Sequence, residues 1–402
     1  MKKILLISMI MVLAVGTAFA VEPTFRPISA RTEAMGGAGI ATSAGSDSLF
    51  MNPANLAGGR FSLNAPSVSL TVFNPKAILD SQIPAYIQSN SDTMAQDIGL
   101  EYMNKIVTAG LGEVLTTDVG VSFTGGGFGI GVNVQEQLHT TSSDGSLAND
   151  KFIAELNVAA PVGLGFSLDF VPGYLSLDVG ASARFVYRAY TEQIGAPQVL
   201  ALMNDSDPAT AFMRETSLAA GWGLPIDVGA NLNLPLGLRI SAVARNLNAV
   251  YTMRDYSELG GWLNEMAALA GMEPVYDDTA PTTTVGAEYT YEIPWTLDVG
   301  LGWMPNLGAL KPSLAVDLTD ALGVLENPEQ LWNNLTAGVE LKLLSFLSAR
   351  GGFNKGYWSL GVGLDVLLVH VDASYFIREY GANIGDKPID ALTVRVNIGI
   401  DG

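Results

Sequence analysis

Charged side chains on the polar faces of predicted strands are the first candidates for chemistry. An arginine that faces an enclosed space can hold a carboxylate by a charge-assisted hydrogen bond. The alternative is pairing with neighbouring acids, because a charge enclosed by a low-dielectric wall needs a partner. The sequence favours the pairing. The candidate charges are Arg184, Arg188, Arg245, Glu288, Arg350 and Arg395, and the candidate acidic partners include Asp178, Asp298, Asp317, Glu340 and Asp365.

Catalytic and metal-binding patterns are poorly represented. The glycine-rich stretch 125–131 superficially resembles a phosphate loop, but it leads into a strand pattern and lacks a following lysine. The two histidines, His139 and His370, have no motif companions for a catalytic triad or a metal site. The absence of cysteine excludes thiol nucleophiles and cysteine-ligated metals. We therefore expect no enzyme activity, no metal and no cofactor.

The composition combines an acidic balance with high apolar content. Among 402 residues, 40 are Asp or Glu and 21 are Lys or Arg, which gives a formal charge of −19. This charge argues against nucleic acid as a partner, since nucleic-acid binding needs a basic surface. Charged residues make up 15% of the chain and hydrophobic residues 48%. A charged fraction well below the roughly 25% usual in soluble domains is unusual for a water-soluble surface.

The N-terminus has the pattern of a secretory signal peptide. Lys2 and Lys3 form a short basic region, the stretch 4–15 is apolar, and Ala18 and Ala20 place small residues at the cleavage positions. The apolar stretch is shorter than the roughly 20 residues of a spanning helix. We therefore expect export and removal of residues 1–20.

Alternation of apolar and polar residues dominates the rest of the chain. In the stretch 175–190 the odd positions are apolar, and serine, aspartate, glycine and arginine mostly lie between them. Successive side chains of a strand point to opposite faces, so one face is apolar and the other polar. Every even position from Phe152 to Phe170 is apolar, across Pro161, which predicts one strand about three times the usual length.

This alternation of apolar and polar residues occurs in two architectures, a soluble β-sandwich and a membrane β-barrel. The low charged fraction, the long strands and the export signal favour the barrel. We predict an all-β, antiparallel transmembrane β-barrel of about 14 strands, with an error of about two. Tight turns are expected at 125–126, 172–173, 235–236, 293–294 and 354–356, and partly helical segments in the long connections between other strands.

The stretch that follows the signal peptide lacks a strand pattern and is rich in small residues. Gly36 and Gly37 permit positive φ and close backbone approach. Asn52-Pro53 is a turn signal. A compact segment of this kind ahead of a barrel can fill its lumen. We therefore divide the chain into a signal peptide (1–20), a plug or hatch (21–64) and a barrel (65–402).

Several short motifs resemble the FadL-type outer-membrane transporters and their PorV-like relatives. At the N-terminus they are Ser29-Ala30-Arg31, Ala34-Met35-Gly36-Gly37-Ala38, Asp47 and Asn52-Pro53-Ala54. Weaker matches to the PorV-like branch lie in the C-terminal half, at 244–247, 316–320 and 349–356. The chain departs from many outer-membrane barrels by ending on Ile400-Asp401-Gly402 instead of an aromatic residue.

The resemblance implies a 14-stranded barrel in the outer membrane of a diderm bacterium, closed by an N-terminal hatch. It implies uptake of hydrophobic small molecules such as long-chain fatty acids, with fatty acids, lipids or detergent and the outer-membrane lipid as partners. The hatch motif then falls on Gly36, Gly37, Asn52, Pro53 and Ala54. The alternative is a PorV-like barrel that partners a secretion-system component in protein secretion or surface attachment. A soluble periplasmic β-protein is a third hypothesis.

Overall fold

The computed structural model describes residues 25–402 apart from 60, 90–93, 103, 106–111, 142–150, 193, 196–197, 199–206, 277–283, 309, 344–345, 382–383 and 402. The predicted signal peptide lies outside the described residues. Among those described, no helix is long and apolar enough to cross a lipid bilayer.

One antiparallel sheet contains every strand assigned in the described residues. Its strands are β1 (Ser62–Phe73), β2 (Glu113–Gly125), β3 (Phe128–Thr141), β4 (Lys151–Val171), β5 (Leu175–Thr191), β6 (Ile194–Gly195), β7 (Leu218–Gly223), β8 (Ile226–Asn233), β9 (Leu238–Leu247), β10 (Val250–Tyr256), β11 (Tyr289–Glu292), β12 (Thr296–Trp303), β13 (Lys311–Leu318), β14 (Leu335–Leu343), β15 (Leu347–Asn354), β16 (Tyr357–Val366), β17 (Val369–Glu379) and β18 (Pro388–Asp401).

The sheet closes on itself. β1 pairs with β2 on one side and with β18 on the other, so that Thr71 lies between Thr116 and Thr393. The result is a closed antiparallel barrel of 14 strands. The number is smaller than that of the listed segments because three of the 14 each consist of two consecutive segments, and we call these three composite walls. These composite walls are β7 with β8, β9 with β10, and β11 with β12, while β6 is a short addition beside β4. The predicted architecture and strand number are confirmed.

The three composite walls are neighbours, and their breaks are hydrogen-bonded to one another. The Asn248 side chain donates to the Leu224 carbonyl at 3.4 Å, and Ile293 N donates to the Ala249 carbonyl at 2.9 Å. Pro225 and Pro294 stand at two of the breaks, and proline cannot donate to a ladder. The turn predicted at 293–294 is therefore wrong, because the chain there continues along the same wall.

Alternation along the strands separates an apolar exterior from a polar interior. On β5, Arg184 and Arg188 are buried while Phe185 between them is exposed. β4 runs unbroken for 21 residues, and beyond Pro161 its even positions, such as Leu164 and Phe166, face outward. The exterior belt of exposed Val, Leu, Ile and Phe is the lipid-facing surface of a membrane barrel.

The two ends of the barrel differ. We call one the turn end, where short connections at 126–127, 172–174, 234–237, 304–310, 344–346 and 367–368 join the strands. The other, the loop end, carries the long connections and one tight turn at 354–356. The helices outside the lumen are α3 (Pro75–Asp80), α4 (Ile83–Ser89), α5 (Met94–Tyr102), α6 (Pro208–Glu215), α7 (Leu259–Leu269), α8 (Ala321–Glu326) and α9 (Leu331–Asn334), and two more, α1 (Ala30–Ala34) and α2 (Ser48–Met51), precede β1.

Helices α6 and α7 pack on the outside of the wall near the loop end. Phe212 of α6 and Trp262 of α7 belong to one apolar cluster with outward-facing residues of the long strands, Leu138 and Ala189 among them. The Trp262 indole N–H donates to the Tyr187 hydroxyl at 2.9 Å. These helices therefore cover apolar wall that would otherwise be exposed.

Candidate functional site: the lumen and the N-terminal segment

Residues 25–59, here called the N-terminal segment, occupy the lumen. Ala34, Met35 and Leu49 are fully buried, and Leu49 and Phe50 share an apolar cluster with inward-facing wall residues such as Val186. β1 begins at Ser62, so the first strand starts inside the range 21–64 that the sequence assigned to the plug.

Glycines on the inner wall let this segment approach the strands closely. A side-chain carbon built at Gly180 would lie 2.4 Å from the Pro53 carbonyl oxygen, and one at Gly338 would lie 2.5 Å from the Met35 carbonyl oxygen. Within the segment, Gly36 has φ +68° and lies against the backbone of Phe353. No larger residue fits at these contacts. The sequence had shown that glycine was abundant, but not which glycines met the segment.

The Asn52-Pro53-Ala54 motif forms a buried polar junction. Asn52 Oδ1 accepts from the Ala54 N–H at 3.0 Å, which caps a short 3₁₀ turn. Its Nδ2 donates to the Ile40 carbonyl at 3.0 Å and to Asn231 Oδ1 at 2.7 Å. The Asn52 side chain thus forms hydrogen bonds with its own turn, with a second turn of the segment and with the wall strand β8.

Arg245 and Asp317 bind the backbone of the segment from the wall. The two terminal nitrogens of Arg245 donate to the carbonyls of Phe50, at 2.9 Å, and Met51, at 2.6 Å. Its Nε pairs with Asp298. Asp317 accepts from the N–H groups of Gly39 and Ile40 at 2.6 and 2.9 Å. Charged wall residues therefore replace hydrogen bonds that the irregular segment cannot form within itself.

Arg184 and Arg188 lie on the inner face of β5, and each has a carboxylate partner. Arg184 donates to both oxygens of Asp227, at 2.7 and 3.2 Å. Arg188 Nε lies 2.8 Å from Glu155 Oε1, and its Nη1 donates to the Tyr291 hydroxyl at 3.1 Å.

Arg350 and Arg395 also face inward and also pair. Arg350 Nε lies 2.9 Å from Glu340 Oε2, and the same carboxylate lies 2.7 Å from Arg31 Nε of the segment. Arg395 Nη1 lies 3.4 Å from Asp47, another residue of the segment.

Glu288 lies outside this network. It is exposed on the outer face near the loop end, 2.6 Å from Arg254 Nη2, so the expectation of a lumen position is wrong for this residue. Its sequence neighbours alternate as a strand would, but β11 begins only at Tyr289. The other five candidates have acidic partners, and none of these five is left over to clamp a ligand carboxylate.

Arg26 of the N-terminal segment is a lumen cation that sequence reasoning missed. Its side chain donates to the Met51 sulfur at 2.9 Å, and no described carboxylate lies within ion-pair distance of it. Burial, together with the positive charge of Arg245, lowers the pKa of Arg26 to about 10, which leaves it protonated at neutral pH. It escaped notice because it precedes the motif and lies on no strand.

The ladder between β3 and β4 beside Arg26 lacks two residue pairs, although its register does not change. Pairing between β3 and β4 runs up to Ile130 opposite Val162 and resumes at Asn133 opposite Ala159. Pro161 lies in the interval, and proline offers no N–H to the ladder. β1 has an irregularity of its own between residues 64 and 67, two strands away. The sequence showed that the strand parity survives Pro161, but not that the pairing stops there.

A cavity of about 40 Å³ is lined by residues of this interval and by the N-terminal segment. Val121 and Val132 also belong to its lining and are exposed on the lipid-facing side of the barrel. The volume accommodates a few water molecules, so a larger apolar molecule would need the N-terminal segment to shift. The lining of the cavity includes Arg26, Asp47, Phe50, Ser67, Gly131 and Pro161.

The described residues contain no grouping of three or more His, Asp or Glu side chains that could hold a metal ion. The arrangement provides a plugged lumen, a cation without a carboxylate partner among the described residues, and a two-residue interval in one strand pairing.

Known proteins are similar to this chain only at the level of solved structures. No family model matches the chain, and no curated protein matches it. Among solved structures it is similar to the Pseudomonas putida toluene transporter TodX, with 11% identity over 92% of this chain and 97% of that one and a TM-score of 0.47.

Two further structures are similar to a comparable degree. The Ralstonia pickettii toluene transporter TbuX has 12% identity over 93% of this chain and 98% of that one, with a TM-score of 0.47. A Pseudomonas aeruginosa FadL homologue has 11% identity over 92% and 98%, with a TM-score of 0.44. At these values the fold assignment rests on the chain's own strand pairing.

Proposed function

We propose that this chain is an outer-membrane barrel for the uptake of hydrophobic small molecules, with long-chain fatty acids as the first substrates to test. In this proposal residues 1–20 direct export and are removed, and the N-terminal segment acts as the hatch. The observation that carries it is the cavity beside the segment, because it is lined both by Arg26 and by residues at the two-residue interval in the β3–β4 pairing.

The blocked lumen and the position of the cavity beside the lipid-facing strands suit an apolar passenger. Residues 25–59 obstruct the axial path, and the lining of the cavity includes Val121 and Val132, which are exposed on the lipid-facing side. An apolar molecule that leaves sideways enters hydrocarbon directly and avoids water. This route requires the segment to move, since the cavity is far smaller than a fatty acid.

Arg26 favours a passenger with an anionic head group. The guanidinium lies at the cavity and has no carboxylate partner among the described residues. A carboxylate would form a charge-assisted pair there, while its chain could extend toward the exposed valines. Fatty acids have this combination of a charged head and an apolar tail.

Uptake assays separate the barrel's function from the role of Arg26. A host strain that lacks its own transporter would carry the wild-type chain or Arg26→Met, and would receive a long-chain fatty acid or the alcohol of the same length. We expect the wild type to raise uptake of both, and Arg26→Met to reduce only that of the acid. Equal loss of both compounds would contradict the head-group role, and no uptake by the wild type would refute the transport function.

Fractionation tests the location. The full chain should be recovered in outer membranes, with a mature N-terminus at Val21. Recovery in the detergent-free soluble fraction would refute the outer-membrane proposal. Lipid extraction and mass spectrometry of the purified protein would then identify bound fatty acid or other apolar compounds.

A further inference from the structure

The turn end of the barrel carries exposed apolar residues in most of its connections. Five of its six turns present at least one large apolar side chain to the outside, namely Tyr174, Leu236, Leu307, Phe346 and Leu367, and Phe61 adds another where β1 begins. The remaining turn is the glycine pair at 126–127. No Asp, Glu, Lys or Arg occurs in any of the six turns. Turns in contact with water are normally built from polar residues.

Two of these leucines also occupy backbone positions that disfavour them. Leu236 has φ +65° and Leu367 has φ +55°, the left-handed region in which glycine, asparagine and aspartate are preferred. Their exposed fractions are 82% and 94%. A leucine that is both in a left-handed conformation and exposed gains nothing from water, so its surroundings must favour an apolar side chain.

The apolar turns continue the lipid-facing belt. Exposure runs without interruption from Val366 through Leu367 and Leu368 to Val369. The exposed turn residues are also distributed around the barrel, in turns that join different pairs of strands. A bilayer contacts a barrel on all sides, whereas a protein partner would be expected to bind a patch on one side.

The lengths of the strands also indicate that the turns contact lipid. β13 and β15 each have 8 residues, fewer than the roughly 9–11 residues of a tilted spanning strand. A tilted strand of this length covers about 20 Å of the roughly 25 Å apolar band. Apolar turns such as those at Leu307 and Phe346 would extend the band beyond the strand ends.

We propose that the turn end is a lipid-binding surface, immersed in the acyl chains of the adjacent leaflet. The barrel then sits deep on this side, and its charged loop end projects from the opposite face. This inference depends on the barrel and its exterior, and it stands whether or not the proposed passenger is correct.

Depth-dependent quenching tests the immersion directly. The chain has no cysteine, so Leu236→Cys and Leu367→Cys each provide a single site for a fluorescent probe in phosphatidylcholine vesicles. Lys355→Cys is the matched control, because Lys355 lies at positive φ in the tight turn at the loop end. We expect acyl-chain nitroxide lipids to quench the two turn-end probes at least threefold more than the control, and aqueous iodide to show the reverse order.

Two outcomes would overturn the proposal. Iodide quenching of the turn-end probes as strong as that of the control would place the turns in water. Protection from both quenchers would mean that protein, from a partner or a second copy, covers them. Either result would be interpreted only for variants that retain the wild-type barrel spectrum by circular dichroism.

A substitution with opposite expected signs provides an independent measurement. Leu367→Asn suits the left-handed backbone, so in water it would raise the urea midpoint of unfolding. In acyl chains the buried amide would lower it. We expect a lower midpoint in vesicles, and a raised or unchanged midpoint for Lys355→Asn. A rise for Leu367→Asn would refute the immersion.

Discussion

Asn52 and Asn231 share a hydrogen bond of 2.7 Å in the lumen, although 179 residues separate them in the chain. Neither side chain is exposed to solvent. Asn52 belongs to the N-terminal segment and Asn231 to the wall strand β8, so this bond fixes the position of the segment in the barrel.

Asn52→Ala should destabilise the protein by about 1–3 kcal/mol, because it removes three buried hydrogen bonds, to Ile40, Asn231 and Ala54, that join the segment to itself and to the wall. Urea unfolding in detergent micelles, followed by tryptophan fluorescence, would measure the change. Asn327→Ala is the control, since Asn327 is exposed and its side chain caps no helix. A similar loss for both variants would show that the junction has no special role.

Gly180→Ala should displace the N-terminal segment, because the added carbon would lie 2.4 Å from the Pro53 carbonyl oxygen. Overpacking of this kind costs about 1–3 kcal/mol. Limited proteolysis would detect it as faster cleavage within residues 25–59. Gly58→Ala serves as the control because a carbon added there meets nothing within 4 Å. Unchanged cleavage in Gly180→Ala would contradict the close packing.

Arg245→Met should destabilise the protein by about 3–5 kcal/mol, because it leaves Asp298 and two carbonyls of the segment without their buried cation. Adding Asp298→Asn should restore part of the loss, since the uncompensated charge is then removed. The comparison is Arg254→Met, which breaks an exposed pair with Glu288 and should change little. Equal effects of the two arginine substitutions would argue against the network.

Pro161→Val should strengthen the β3–β4 wall, because valine restores an N–H and retains the preference for strands. We expect slower uptake of apolar compounds without loss of folded protein. Pro312→Val is the matched control, as Pro312 lies in β13, where the pairing with β14 is continuous. Uptake that is unaffected by Pro161→Val, or equally reduced by Pro312→Val, would exclude the interval as the exit.

Most of the fold prediction rested on the alternation of apolar and polar residues along the strands. The apolar even positions of β4 and the apolar odd positions of β5 identified strands and their lipid-facing sides, because this period is a property of each strand alone. The barrel, its antiparallel order and its approximate strand number followed from the lengths and spacing of these strands. The error at 293–294 arose because the same proline signal marks a turn in one place and a break within a wall in another.

For the lumen, the sequence predicted which types of residue face inward but not which residues they contact. The sequence identified Arg184, Arg188, Arg245, Arg350 and Arg395 as inward-facing candidates, but their partners are fixed by register between strands that are far apart in the chain. Glu288 shows the limit of parity, since it precedes the first residue of β11 and points outward. Arg26 was missed because no periodic pattern covers it.

The sequence by itself determined the alternating faces, the apolar exterior and the small-residue character of the segment that precedes the barrel. These are local properties, set by side-chain type and by the two-residue period of a strand. Only the tertiary structure decided which carboxylate each arginine meets, where the β3–β4 pairing stops and which cation remains without an acid. Those features depend on closure of the sheet and on the placement of an irregular segment within it, and neither has a signature in local sequence.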